Sequence, residues 1–146
     1  MKVNLTWPIR QSFLRYIDTV GGTTEISEEL SRGDDAFVFP GTSSGPTRWE
    51  FRGSARFEAH GGMLSVTIGD PIVDLDNEPA TLTVATATGP DAPRATIAHL
   101  IGIEAQGSAL RANARLTVEG SRLLGDVYNP GDLLDPILID TEARHA

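Results

Sequence analysis

The chain has 146 residues, enough for one domain with a real core and too few for two of typical size. Its composition, 40% apolar and 22% charged with 15 glycines and 9 prolines, is that of a turn-rich globular protein rather than a helical bundle. A net charge of −8 without a Lys/Arg run argues against nucleic acid and anionic membrane surfaces as partners, and the lack of cysteine removes disulfides, thiolate metal sites, iron–sulfur clusters and cysteine nucleophiles.

Met1-Lys2-Val3-Asn4-Leu5-Thr6 has one basic residue but neither an apolar run nor a small-residue cleavage site, so it does not read as a signal peptide. No stretch approaches the ~20 apolar residues of a membrane span. The first predicted element is a helix. Thr6 or Trp7 would cap it, Pro8 suits its first turn, and Gly21-Gly22 ends its periodic stretch. Its apolar stripe is Ile9, Phe13, Tyr16, Ile17 and Val20, with Ser12 at the edge one turn before Tyr16. The Tyr16 phenol is therefore expected to face the interior, or something that occupies a cavity there.

Beyond the glycine pair the texture turns to β. Phe37-Val38-Phe39 is a predicted strand, followed by the breaker Pro40 to Pro46. Thr47 to His60 alternates, and His60-Gly61-Gly62-Met63 reads as a tight hairpin tip from which Met63 to Ile68 returns. Asp70-Pro71 is expected to stop that strand. Ile72 to Leu75, Ala80 to Thr88, Arg94 to Glu104, Asn113 to Glu119 and Ile137 to Ile139 follow as short strands. Eight or more strands with regular turns predict a mainly β fold, a sandwich or barrel over residues 1–146 as a single domain, with an N-terminal helix packed on it.

Three residues stand out as carriers of chemistry. Tyr16 on the helix is either a core tyrosine hydrogen-bonded to backbone or a phenolate axial ligand to ferric haem, one of the few protein groups that serve in that role. His60 is either an exposed hairpin histidine or an outer-shell partner that orients such a ligand. Tyr128, in the turn-rich Leu124 to Gly131 stretch, reads first as a packing residue. The other constellations are weaker. His60, His99 and His145 are scattered without a zinc spacing, and His99 lies in a mixed apolar strand. Gly-x-Ser-x-Gly is absent, and Gly41 to Gly45 precedes no Gly-Lys-Ser/Thr. The acidic residues Asp34, Asp35, Asp74, Asp76 and Glu78 lack EF-hand spacing and read as solvated turns.

Taken in order, one set of residues carries a family likeness. It runs through Trp7-x-x-x-x-Ser12-Phe13-x-x-Tyr16-Ile17, Gly21-Gly22, Phe37-x-Phe39-Pro40 and Phe57-x-x-His60-x-Gly62-x-Leu64. Asp70-Pro71 and Tyr128-x-x-Gly131-x-x-x-Asp135-Pro136 complete it. The chain resembles the HtaA domain, the haem-binding module of actinobacterial haem-uptake proteins, from Trp7 to about Ile139. The resemblance implies a mostly β fold with a haem cleft, in which Tyr16 ligates the iron of ferric haem b and His60 is hydrogen-bonded to Tyr16. It also implies that Tyr128 is the family's second tyrosine and that Ser12 reaches a haem propionate. One departure is Leu124, where the family pattern leads one to expect an aromatic residue; leucine there is expected to loosen one wall of the pocket. The other is location: family members usually carry a signal peptide and often an anchor, whereas this chain as written is expected to be cytoplasmic, without membrane insertion.

A free phenol, with a pKa near ~10, ligates poorly at neutral pH until something stabilises the phenolate. Ferric iron supplies most of that stabilisation, and a hydrogen bond from His60 adds to it. The expected function is therefore non-enzymatic binding of ferric haem for uptake, transfer or storage, with other haem-carrier proteins as partners. The alternatives are a catalase- or peroxidase-like haem enzyme and an extracellular β-sandwich interaction module without haem. Arg10, Arg15 and Arg56 are the arginines expected near the propionates.

Overall fold

The computed structural model describes residues 2–33 and 36–141. The chain begins with β1 (Lys2–Trp7) and α1 (Gln11–Thr19), followed by β2 (Thr23–Ile26), β3 (Ser31–Arg32), β4 (Phe37–Ser43), β5 (Arg48–Phe51) and β6 (Ser54–Ala59). A 3-10 turn at His60–Gly62 leads into β7 (Leu64–Asp74), β8 (Ala80–Ala85), β9 (Arg94–Gln106) and β10 (Ala109–Leu116). The short helix α2 (Val118–Leu123) and β11 (Leu133–Thr141) complete the fold. Among the described residues, eight strands close a barrel in the order β7-β5-β4-β1-β11-β10-β9-β8 and back to β7, every pair antiparallel. Closure leaves no free sheet edge in the barrel wall. Strands β6 and β2 extend from β7 as a two-strand wing, and β3 pairs with β4. The expected mainly β barrel with a helix packed on it is the observed architecture.

The barrel interior follows from alternation. Val3, Leu5 and Trp7 on β1 are buried while Asn4 and Thr6 between them are only partly so, and Phe37 and Phe39 on β4 repeat the pattern. These side chains join Ile68, Val73, Leu82, Val84, Ile97, Ala112, Ala114, Ile137 and others in a single core cluster. Helix α1 adds Phe13 and Ile17, both fully buried, with the Phe13 ring edge-on to Phe57 of β6 at 5.3 Å and 81°.

Four expectations are corrected. The chain opens with a strand, and the helix starts only at Gln11, because the Trp7 side chain is claimed by the barrel core. Thr47 to His60 is two strands, not one: Gly53, at φ +117, turns the chain between them. Asp70-Pro71 bends β7 instead of ending it. Residues up to Gly69 pair with β6 of the wing, and Ile72 to Asp74 pair with β5 and β8 of the barrel. At the bend Asp70 has φ +41, donates its backbone N–H to the Gly53 carbonyl at 2.8 Å and accepts the Gly53 N–H on its carboxylate at 3.1 Å. Finally, Thr117 caps a helix rather than continuing a strand, its hydroxyl accepting from the Gly120 N–H at 2.9 Å.

Candidate functional site

The entry to α1 is set by residues far away in sequence. Arg10 occupies the N-cap position without a side-chain cap, and the Gln11 N–H instead donates to the Asp135 carboxylate at 3.0 Å. The Asp135 backbone N–H donates to the Ile9 carbonyl at 2.9 Å, and its carbonyl accepts the Trp7 indole N–H at 3.0 Å. Asp135 thus ties β11 to both ends of the β1–α1 connection. Ile9 is fully buried there at φ +65, a conformation a β-branched side chain disfavours by about 1–3 kcal/mol and keeps only where its surroundings hold it. At the other end, Gly22 passes so near β6 that a Cβ would sit 2.4 Å from the Glu58 carbonyl oxygen. Helix α1 is thereby fixed against β6, the strand that ends at Ala59 just before His60.

Three successive residues with positive φ, His60 (+55), Gly61 (+66) and Gly62 (+92), turn the chain sharply after β6. The turn places the His60 imidazole beside α1, with Nε2 2.6 Å from the Tyr16 hydroxyl and the ring centroids 5.9 Å apart. Either group can donate, according to which ring nitrogen carries the proton. Contrary to the helical-wheel reading, the Tyr16 phenol is not interior. Phe13 and Ile17 take the buried face, Tyr16 is half-buried beside them, and its hydroxyl meets an exposed His60. Met63, whose N–H bonds to the His60 carbonyl at 3.2 Å, is 91% exposed.

A second polar group lies one turn earlier on the same helix. The Ser12 hydroxyl is 2.6 Å from the Tyr128 hydroxyl. The Arg10 guanidinium donates through Nε to Ser12 Oγ at 3.0 Å and through Nη1 to the Leu133 carbonyl, and lies 4.5 Å from the Tyr128 ring centroid. The Tyr128 ring packs toward Phe13 at 6.4 Å, and its carbonyl accepts the Ser121 hydroxyl at 2.6 Å. All four sequence-predicted site residues are therefore gathered on α1 and the two turns facing it, as the pairs Tyr16–His60 and Ser12–Tyr128.

Other expectations fall away from this face. Leu124 is fully buried in the core cluster and so packs the interior instead of loosening an open wall. His99 sits on β9, in register with Thr81 and Arg115. His145, Asp34 and Asp35 lie outside the described residues. Of the three arginines, Arg56 is ion-paired with Glu58, Arg15 is exposed on α1, and Arg10 adjoins Ser12. Sequence reasoning gave Trp7 and Asp135 no part in the site. Their only signal was membership in the ordered motif, because the bonds they make span more than 120 residues.

Chemically, Tyr16 offers an oxygen donor with an imidazole bonded to it, next to a hydroxyl pair and a cation. Recesses of about 220–420 Å³ around Arg48, Asp70 and Arg94 are lined by none of these residues. No helix among the described residues is long and apolar enough to cross a membrane.

The same fold occurs in solved structures from Corynebacterium glutamicum. The chain is similar to the N-terminal domain of HtaA (TM-score 0.77, 22% identity, covering 98% of each chain). It is also similar to the C-terminal domain of HtaA (TM-score 0.75, 20% identity, 95% of this chain and 94% of that one). The haem-binding protein HtaB is a third likeness (TM-score 0.70, 19% identity, 96% of each). A comparison with curated proteins gives no match. The family model described as Htaa matches residues 2–140, a span that takes in β1, α1, the His60 turn, Tyr128 and Asp135 together. On that match the chain belongs to the HtaA family.

Proposed function

We propose that this domain binds ferric haem b through the Tyr16 phenolate as axial ligand, for haem uptake, transfer or storage and not for catalysis. The carrying observation is the 2.6 Å bond between the Tyr16 hydroxyl and His60 Nε2. A phenol needs a partner that stabilises its anion before it ligates well near neutrality, and an imidazole donating to the phenolate oxygen is such a partner. A hard anionic oxygen suits Fe(III) better than Fe(II). The residues around the pair fit an amphipathic planar ligand. Exposed Met63, Val127 and Leu133 offer apolar contact, while Ser12, Tyr128 and Arg10 offer polar contact. The haem binding named for HtaB, a protein of the same fold, supports this reading. An exposed His60 also suits exchange with haem-carrier partners.

A peroxide-consuming haem enzyme needs an acid–base group across the iron from its ligand. Here the one nearby imidazole bonds to the ligand itself, which favours carriage over turnover. Haemin titration followed by absorbance tests the reading. A Soret band saturating at one haem per chain is expected, with peroxide turnover no faster than that of free haemin. Absence of a Soret change would leave the fold as an interaction module without haem, and turnover well above free haemin would make it an enzyme.

A further inference from the structure

Helix α1 follows the Trp7 end of β1. At the opposite end of the barrel, where Val3 of β1, Ser43 of β4, the β9–β10 turn and Ile139 of β11 come together, lies a recess of about 350 Å³. Cross-strand register tells which side chains turn into it, because residues directly opposite in an antiparallel pair share a face. Leu110 stands opposite both Ala105 and Ile139, and Ser43 stands opposite Trp49. Ile139 belongs to the core cluster, and Leu110 and Trp49 pack against it, so all of these face inward. Val3 and Ile139 are buried and form the floor. The small side chains of Ser43 and Ala105 leave the space beside Trp49 and Leu110 unfilled, whereas protein interiors seldom leave a void of this size. The two tryptophans differ in a way that bears on this space. Trp7 is fully buried and donates its indole N–H to the Asp135 carbonyl at 3.0 Å. Trp49 is half-buried, and its indole N–H has no acceptor among the described residues. Asp140 alone is charged among the described residues that line the recess, so an anion meets a carboxylate there and no cation.

We propose that this barrel mouth is a second binding site, for a small uncharged aromatic molecule that carries a carbonyl-type acceptor. The aromatic body lies against Trp49 and Leu110, and the acceptor takes the free Trp49 indole N–H. The volume falls within the range of about 300–1,000 Å³ usual for small-molecule sites, and barrel mouths are among the places where such sites form. One directed donor in an otherwise apolar pocket fixes the orientation of the ligand, and the lining carboxylate of Asp140 selects against anions. The site is separate from the α1 face, since the packed barrel core, Leu5 and Phe39 included, fills the space between them. It therefore holds whether or not the α1 face carries haem.

The test titrates prodan, an uncharged naphthyl ketone whose emission moves to the red when its carbonyl accepts a hydrogen bond, into the haem-free protein. A single saturable site is expected, with a dissociation constant on the order of 10 μM for a ligand of about 17 non-hydrogen atoms. Trp49→Phe keeps a ring but removes the donor, and is expected to weaken binding about 5-fold and shift the bound emission to the blue. Ala105 is exposed, so Ala105→Arg obstructs the mouth without entering the core and is expected to abolish binding. Tyr16→Ala, at the far end, is expected to bind as the unaltered protein does. In competition, 2-naphthoate, equal in size to 2-acetylnaphthalene but anionic, is expected to displace prodan about 10-fold less well. Absence of saturable binding to the unaltered protein would overturn the proposal, as would undiminished binding by Ala105→Arg. Loss of binding in Tyr16→Ala would overturn it too, by placing the probe on the α1 face, and equal displacement by the two competitors would overturn the ligand class.

Discussion

The barrel wall around Arg48 and the α1 face around Tyr16 treat their polar groups in opposite ways. On the wall, polar groups close on one another: Arg48 on Glu50 and Asp74, the Thr47 hydroxyl on Asp76, and Arg94 on the carbonyls of Asp70 and Thr83. Partial burial lowers the pKa of the Arg94 guanidinium, and nearby Asp70 opposes that shift. On the α1 face the bonds join hydroxyls, an imidazole and the Arg10 cation, which makes no ion pair among the described residues. A surface that satisfies its own charges has little left to offer a ligand. A surface that holds donors and acceptors in fixed geometry keeps some of them available to an outside partner, as the haem proposal requires.

The contrast is open to separation by substitution. The largest expected effect is on binding: Tyr16→Ala should abolish stoichiometric ferric haem binding while costing only about 1 kcal/mol of stability, since the ring is half-buried. Haemin titration beside a thermal melt checks both halves. The inverse case is Trp7→Ala. It removes a fully buried indole and its bond to Asp135, and is expected to destabilise by about 3–5 kcal/mol in denaturant titration. Its effect on haem should come mainly from unfolding, leaving a smaller loss in the folded variant because Asp135, which receives the indole bond, also holds the start of α1.

His60→Ala should weaken haem affinity by about 10–100-fold, the usual loss when a group that supports a metal ligand is removed, with the ferric complex still formed. A spectrum matching that of the Tyr16 variant would make His60 itself the ligand. The smallest effect belongs to the wall. Arg48→Gln breaks two ion pairs of a side chain 41% exposed, so stability should move by less than about 1 kcal/mol and haem affinity not at all. A loss of haem binding there would erase the distinction between the two regions.

How much of this was legible in the chain itself varies with the range of the interaction. Alternation located β6 through Ala55, Phe57 and Ala59, since each strand residue reports its own face. It failed at Lys2–Trp7, where Val3, Leu5 and Trp7 alternate over too short a run to outweigh the helix signals next to it. It failed again at Asp70-Pro71, because a proline that ends most strands is tolerated in β7 where the strand changes partners. The site behaved likewise. Residue type and periodicity marked Tyr16 and His60 as candidates but left ordinary readings open, and the ordered family motif brought them together. Nothing local gave the capping of α1 by Asp135, which depends on β11 arriving beside β1. Nor did local pattern foretell the positive φ at His60 that turns its imidazole onto Tyr16.

The state of the iron gives the most direct measurement of phenolate ligation. Reduction with dithionite makes the iron a softer and less charged acid, which weakens its bond to a hard anionic oxygen. The freed phenolate then recovers a proton, since a phenol's ordinary pKa is near ~10. Neutral imidazole, by contrast, remains a good ligand to Fe(II). Haem transfer from the loaded domain to apomyoglobin, followed by absorbance before and after reduction, distinguishes the two. Faster transfer from the reduced complex is expected if Tyr16 holds the iron. Equal or slower transfer after reduction would contradict phenolate ligation and move the ligand role to His60.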